Sequence, residues 1–140
     1  MTQTERASEL VEAFEMFDAW EDRYRFLIDM GRDLPPFPVD QKTETNLVHG
    51  CQSQVWMIAE SEDGGQAIEF IADSDSTIVK GLIAILRAVY SGYSPREILH
   101  FDVNGLLEQL GLDQHLSMGR RNGLAGMVAR VKTLATQLAS

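Results

Sequence analysis

Hydrophobic positions recur along this chain with two different periods, and the changes of period divide it into a helical beginning, a β middle and a helical end. From Glu5 to Phe17, the apolar residues Leu10, Phe14 and Phe17 fall three or four apart, while Glu9, Glu12 and Glu15 lie largely on other faces. That spacing predicts an amphipathic helix. Asp18-Ala19-Trp20-Glu21 has the spacing of a capping box, and Trp20, Tyr24, Leu27 and Ile28 then repeat at helical intervals, so a second helix is expected to about Asp33. Pro35-Pro36-Phe37-Pro38 excludes helix through fixed backbone angles and missing donors, and reads as an extended connector in preference to a polyproline ligand motif.

The period then drops to two. Between Gln52 and Ala59, Val55 and Met57 alternate with Trp56 and Ile58, and beyond Glu62-Asp63-Gly64-Gly65 the residues Ile68, Phe70 and Ala72 alternate with Glu69 and Ile71. Two strands joined as an antiparallel hairpin are expected, with Leu47 to His49 adding a short third one. From Ile78 to Tyr90 the chain is apolar almost all round, with Lys80 and Arg87 as its only charges, seven residues apart and so at nearly one angular position. This should be the central buried helix. Ser94-Pro95-Arg96-Glu97 combines an N-cap, a first-turn proline and a capping-box glutamate, and a further helix from about Asn104 to Leu110 should stop at Gly111. Leu124, Met127, Val128, Val131, Leu134 and Leu138 give the spacing of a last amphipathic helix. Helices, a small antiparallel sheet of about three strands, then helices again make an α+β domain, expected to be a single one over residues 1–140.

Composition narrows the partners. The chain has 140 residues, 44% of them hydrophobic, enough for one buried core. Against 21 acidic side chains stand 12 basic ones, a formal charge of -9, and Arg120-Arg121 is the only adjacent basic pair. Neither nucleic acid nor an anionic membrane surface is therefore an expected partner, whereas a protein with a positive docking surface is compatible. The opening residues lack a signal-peptide pattern and no apolar run approaches the ~20 residues of a membrane span, so a cytoplasmic location is expected.

Cys51 is the only cysteine, which leaves an inert thiol, a reactive one, or a link to another chain. Its setting, His49-Gly50-Cys51-Gln52-Ser53-Gln54-Val55-Trp56, is a polar loop at a sheet margin, and Gly50 permits backbone angles closed to other residues and close approach by a second chain. Polar flanks weaken the case for a buried structural cysteine. In an extended chain His49 projects to the same side as Cys51 and would favour its thiolate, although a local hydrogen bond accounts for that histidine equally well. An acid at Asp75, just before a helical run, is the pattern of an N-cap. Arg120 lies near the start of the last helix, where a cation opposes the helix dipole, so a polar contact with the cysteine loop or with a partner is expected of it instead.

HGCQSQVW, followed by DSDSTIVKGLIAIL at Asp73 to Leu86, resembles the signature of the SufE family of sulfur acceptors. The likeness continues through Ser94 to Ile98, Gly111 to Leu116 and Arg120 to Leu124, and so covers nearly the whole chain. Where the family commonly has HLSPSRSNGL, this chain has Met118 for the proline and Gly119 and Arg121 for serines, which leaves the start of the last helix less defined.

The resemblance implies a protein that activates a pyridoxal-phosphate cysteine desulfurase of SufS or CsdA type, accepts persulfide sulfur on Cys51, and delivers it to an iron–sulfur scaffold resembling SufBCD. His49, Gly50, Gln52, Gln54, Asp75 and Arg120 are its supporting or partner-binding candidates, Asp75 by motif and with the N-cap reading preferred. No cofactor or metal is expected in this chain, the pyridoxal phosphate belonging to the partner, and monomer and homodimer both stay open. A CsdE-type acceptor serving a related desulfurase and an activator that works by contact alone are the alternatives. A cysteine hydrolase using His49, His100 or His115 as base ranks lower, since no substrate pocket is suggested. A metal or cluster scaffold ranks lower still, because one cysteine and three scattered histidines lack paired ligand spacing.

Overall fold

The computed structural model describes residues 1–50 and 52–139. Helices α1 (Gln3–Glu15) and α2 (Trp20–Arg32) lead through the proline connector and two short 3-10 turns to strand β1 (Val55–Glu62). A tight turn at 63–65 reverses the chain into β2 (Ala67–Ser74), and α3 (Thr77–Tyr90) follows at once. Three short helices, α4 (Pro95–His100), α5 (Val103–Gln109) and α6 (Leu112–His115), precede the long α7 (Met118–Leu138).

The α+β architecture is the expected one, with one difference in the sheet. It has two antiparallel strands among the described residues, running from Val55 opposite Ser74 to Glu62 opposite Ala67. Leu47 to His49 contributes an isolated bridge to Trp56 and one hydrogen bond, Val48 N–H to the Val55 carbonyl at 2.7 Å, rather than a third strand. The pairing stops because Gly50 takes a φ of 91° and turns the chain away.

Alternation on the hairpin puts Val55, Met57, Ile68, Phe70 and Ala72 on one buried face. That face packs on α3, whose Leu82, Ile83, Ile85, Leu86 and Val89 are all buried, as a helix apolar nearly all round requires. The two cations of α3 tie it to β2. Arg87 donates from Nε to the Phe70 carbonyl at 2.8 Å and pairs with Glu69 at 3.2 Å, while Lys80 lies 3.6 Å from Asp73. Seven residues of helix rise about 10.5 Å and four of strand about 13 Å, so both cations meet an acid in one alignment.

On the other side of α3 the helices nearly touch. A Cβ at Gly81 would collide with the Leu27 carbonyl oxygen, and one at Gly31 would lie 2.8 Å from the backbone nitrogen of Gly81. Two glycines let α2 and α3 cross backbone to backbone. Tyr90 is fully buried at the end of α3 and its hydroxyl has no hydrogen-bond partner among the described residues. Burial pushes its pKa up to about 12, so the ring stays neutral.

Helix ends follow the sequence in most places. Ser94 and Glu97 form the reciprocal capping box, and Gly111 takes the left-handed conformation between α5 and α6. The capping box expected at Asp18 does not form. Ala19 occupies the N-cap without a side-chain bond, because the chain there is placed by packing: Trp20 stacks on His115 with centroids 3.8 Å apart, and Arg23 Nε bonds the Phe17 carbonyl at 2.7 Å.

Candidate functional site: the cysteine loop and its supports

Cys51 lies outside the described residues, so the site is defined by what holds its neighbours. Two chain segments converge on it, a strap from Asp33 to Val48 and the start of β1. Both touch the C-terminal end of β2 and the turn after it, the strap through Lys42 at Asp73 and the start of β1 through Gln54 at Asp75.

The downstream anchor is Asp75. The hairpin is prolonged past its last strand pair by two bonds: Gln54 N–H donates to the Asp75 carboxylate at 3.1 Å, and Asp75 N–H donates to the Gln54 carbonyl at 3.4 Å. The N-cap preference for Asp75 is thereby corrected, because Ser76 caps α3 by accepting from Val79 N–H. Asp75 is free of that task because its carboxylate serves the cysteine loop. It is exposed, as are His49, Gly50, Gln52, Gln54 and Arg120.

Gln52 and His49 both lie against α7. A Cβ added at Gly119 would collide with Gln52 Oε1, and one at Gly126 would stand 3.0 Å from the His49 carbonyl oxygen. The departure from the family pattern at Gly119 thus leaves room for the Gln52 amide. Loss of the usual proline does not disturb the helix start, since Ser117 Oγ accepts from Arg120 N–H as an N-cap and Met118 is exposed to solvent. Gln52, Ser53, Ser117 and Arg120 line a cavity of about 240 Å³ with a floor that includes Val55, Leu82 and Met127. Arg120 thus shares a cavity with the loop. The first turn of a helix and a guanidinium both favour a negative charge placed there.

His115 belongs elsewhere. Its ring stacks on Trp20 and its Nδ1 bonds the Gly111 carbonyl at 2.9 Å, a structural role that places it with the α2 packing. A larger hollow of about 350 Å³ lies under the proline connector, lined by residues including Ile28, Pro35, Pro36, Thr77 and Lys80. Among the described residues no cluster of three or more His, Cys, Asp or Glu side chains could hold a metal ion. No helix among them is long and apolar enough to cross a membrane.

Two residues of the upstream strap's anchor were not singled out from sequence. Lys42 Nζ sits 3.0 Å from one Asp73 oxygen and 5.1 Å from the centroid of the Trp56 ring. Trp56 and Asp73 are direct partners across the hairpin. Burial alone would raise the Asp73 pKa, but hydrogen bonds from Lys42 and Ser74 N–H, with the charges of Lys80 and Lys42, outweigh it and hold the carboxyl below its ordinary value. The hairpin register pairs Trp56 with Asp73, but only the path of the strap brings Lys42 to them.

A two-stranded hairpin flanked by helices, with Gly50 and Gln52 exposed where the chain enters its first strand, defines a small α+β protein. The family model described as SufE, Fe-S metabolism associated domain, matches residues 8–135. An uncharacterized SufE-like protein of Rhizobium meliloti (strain 1021) is 39% identical over 129 residues, covering 91% of this chain and 92% of its own length. One from Rhizobium etli is 39% identical over 126 residues, covering 89% and 85%. The solution structure of a hypothetical protein from Thermus thermophilus superposes with a TM-score of 0.76 at 23% identity, over 95% of each chain, and shares the fold. The chain belongs to the SufE family, and with it to iron–sulfur metabolism.

Proposed function

We propose that this protein is a sulfur carrier that docks on a pyridoxal-phosphate cysteine desulfurase, takes its persulfide sulfur onto Cys51, and delivers it to iron–sulfur cluster assembly in the cytoplasm. The observation that carries the reading is the intact HGCQSQVW motif within a chain of this family, its cysteine following a glycine in the left-handed conformation. In the transfer step the Cys51 thiolate attacks the terminal sulfur of the partner's persulfide. A sulfur–sulfur bond forms at Cys51, the partner's breaks, and the partner's cysteine leaves as a thiolate. One thiol and one persulfide stand on each side, so no external oxidant or reductant is needed, and the Cys51 proton is released to water or to the departing thiolate.

Nucleophilicity falls as thiolate fraction rises, so modest activation is best. Arg120 and the first turn of α7, which line the cavity shared with Gln52 and Ser53, are suited to supply it. His49 is exposed beside the loop and can take up or hand on the proton. Asp75, exposed at the hairpin end, serves both the loop and the docking face. The pyridoxal phosphate chemistry belongs to the partner.

The test is incubation with a desulfurase and cysteine, followed by non-reducing intact-mass spectrometry. One added sulfur atom is expected on the parent protein and none on Cys51→Ser. If the serine variant accelerates sulfur release as well as the parent does, the carrier role is wrong and activation by contact alone remains.

A further inference from the structure

We propose that the open edge of β1 at Ala59 and Ser61 is a docking site for an extended, basic segment of a partner protein, taken on as a third strand. The inference asks nothing of Cys51 and stands apart from the sulfur-carrier reading.

The two edges of the sheet are covered differently. On β2, Ile68 N–H donates to the Tyr93 carbonyl at 2.9 Å and the Ile68 carbonyl accepts from Gly92 N–H at 2.8 Å. Phe70 N–H donates to the Ser91 hydroxyl, and its carbonyl accepts from Arg87 Nε. On β1 the cover is partial. The Val55 carbonyl accepts from Val48 N–H and so faces away from β2, and the two-residue period of a strand turns Met57, Ala59 and Ser61 the same way. The strap bridges β1 at Trp56 and no further along. Among the described residues, the outward N–H and carbonyl groups of Ala59 and Ser61 have no hydrogen-bond partner.

A cleft of about 500 Å³ opens beside this edge, between Asp40, Gln41 and Asn46 of the strap and Leu134 of α7, with Met57 to Glu60 as its wall. Small side chains at Ala59 and Ser61 leave room for those of an incoming strand. Strand addition suits such a place, because backbone bonds supply affinity and alternate side chains supply specificity.

Charge selects the occupant. Asp40 is exposed at the cleft, and Glu60, Glu62 and Asp63 are exposed along the edge and its turn. Two cations of the region are engaged, Lys42 with Asp73 and Arg130 with the Thr45 carbonyl. Opposite charges attract across a strand pair and like charges repel, so lysine or arginine fits here. A second copy, bringing the same acids and a net charge of -9, does not. From Gln54 to Ser61 the strand runs about 23 Å, so a segment docked here leaves the other end of the hairpin uncovered.

The experiment titrates the full-length protein with the end-blocked peptide Lys-Val-Lys-Val-Lys-Val and follows backbone amides by NMR. The largest shifts should fall on Ala59 and Ser61. The fully N-methylated peptide, with the same charge and no backbone donors, should bind weaker by about tenfold or more, and Ser61→Pro, which removes one outward donor, should weaken the parent peptide about fivefold. Glu60→Gln with Glu62→Gln should cost about threefold, a difference that about 0.5 M salt removes. The methylated peptide is tested on the parent protein, so its result holds whether or not Ser61→Pro folds. No saturable binding, equal binding of the methylated peptide, or shifts centred away from β1 overturns the strand site. Shifts at Ala59 and Ser61 that grow with protein concentration alone put a second copy on the edge and overturn the basic partner.

Discussion

At the α2–α3 crossing, Gly31 and Gly81 bring two backbones together with no space for a methyl group, and Leu27 and Leu82 beside them are buried. Around the cysteine loop the opposite holds. His49, Gly50, Gln52 and Gln54 are exposed, a Cβ at Gly50 would meet nothing within 4 Å, and the flanks are held by separate hydrogen bonds, Val48 to Val55 and Gln54 to Asp75. Dense packing resists small displacements because every atom has neighbours to disturb, whereas isolated polar contacts can open one at a time. The proposed exchange of sulfur with a second protein suits flanks of the latter kind, mounted on a body of the former.

Substitutions can break that contrast. Gly81→Val should destabilise by about 3 kcal/mol, as overpacking against the Leu27 backbone has nowhere to relax, and urea denaturation would read it. A loss below about 1 kcal/mol would mean that the crossing yields as the loop does. Gly50→Ala tests the other side. With no steric obstacle its effect is conformational, about 1 kcal/mol for a left-handed φ, and it should alter the Cys51 alkylation rate more than the urea midpoint. Stability loss comparable to that of Gly81→Val would place the loop within the rigid core.

The smallest effect sharpens the electrostatic half. The folded pKa of Asp73 lies below its unfolded one, so its stabilisation is present above the ordinary aspartate value of about 3.9 and is lost as pH falls through the folded value. Parent and Asp73→Asn should therefore differ by under about 1 kcal/mol near neutrality, with the gap closing in acid below about pH 3.9. A gap independent of pH across that range would show that the side chain acts by shape rather than charge.

Much of the fold was legible because it depends on local rules. The apolar spacing of Leu10 and Phe14, the Ser94-Pro95-Arg96-Glu97 cap and the alternation through Ile68, Phe70 and Ala72 each specify an element within a few residues. The misjudged places are those where a distant residue intervened. Asp18 lost its capping role to the packing of Trp20 on His115, and Asp75 lost its own to Ser76 because Gln54 lies beside it across the hairpin. At the site, Cys51 and its polar flanks stood out as a motif, while Lys42 did not, since a lone lysine in a polar stretch looks like any solvated one.

The sequence by itself determined the element order, the buried face of the hairpin, the identity of the only thiol and the family resemblance, all of which are properties of residue type and short-range spacing. The tertiary structure alone decided that Asp75 holds Gln54, why Gly119 suits the Gln52 amide, and that Lys42 reaches Asp73 over Trp56. Those pairings depend on strand register and on how closely helices approach, which emerge only when the core has closed.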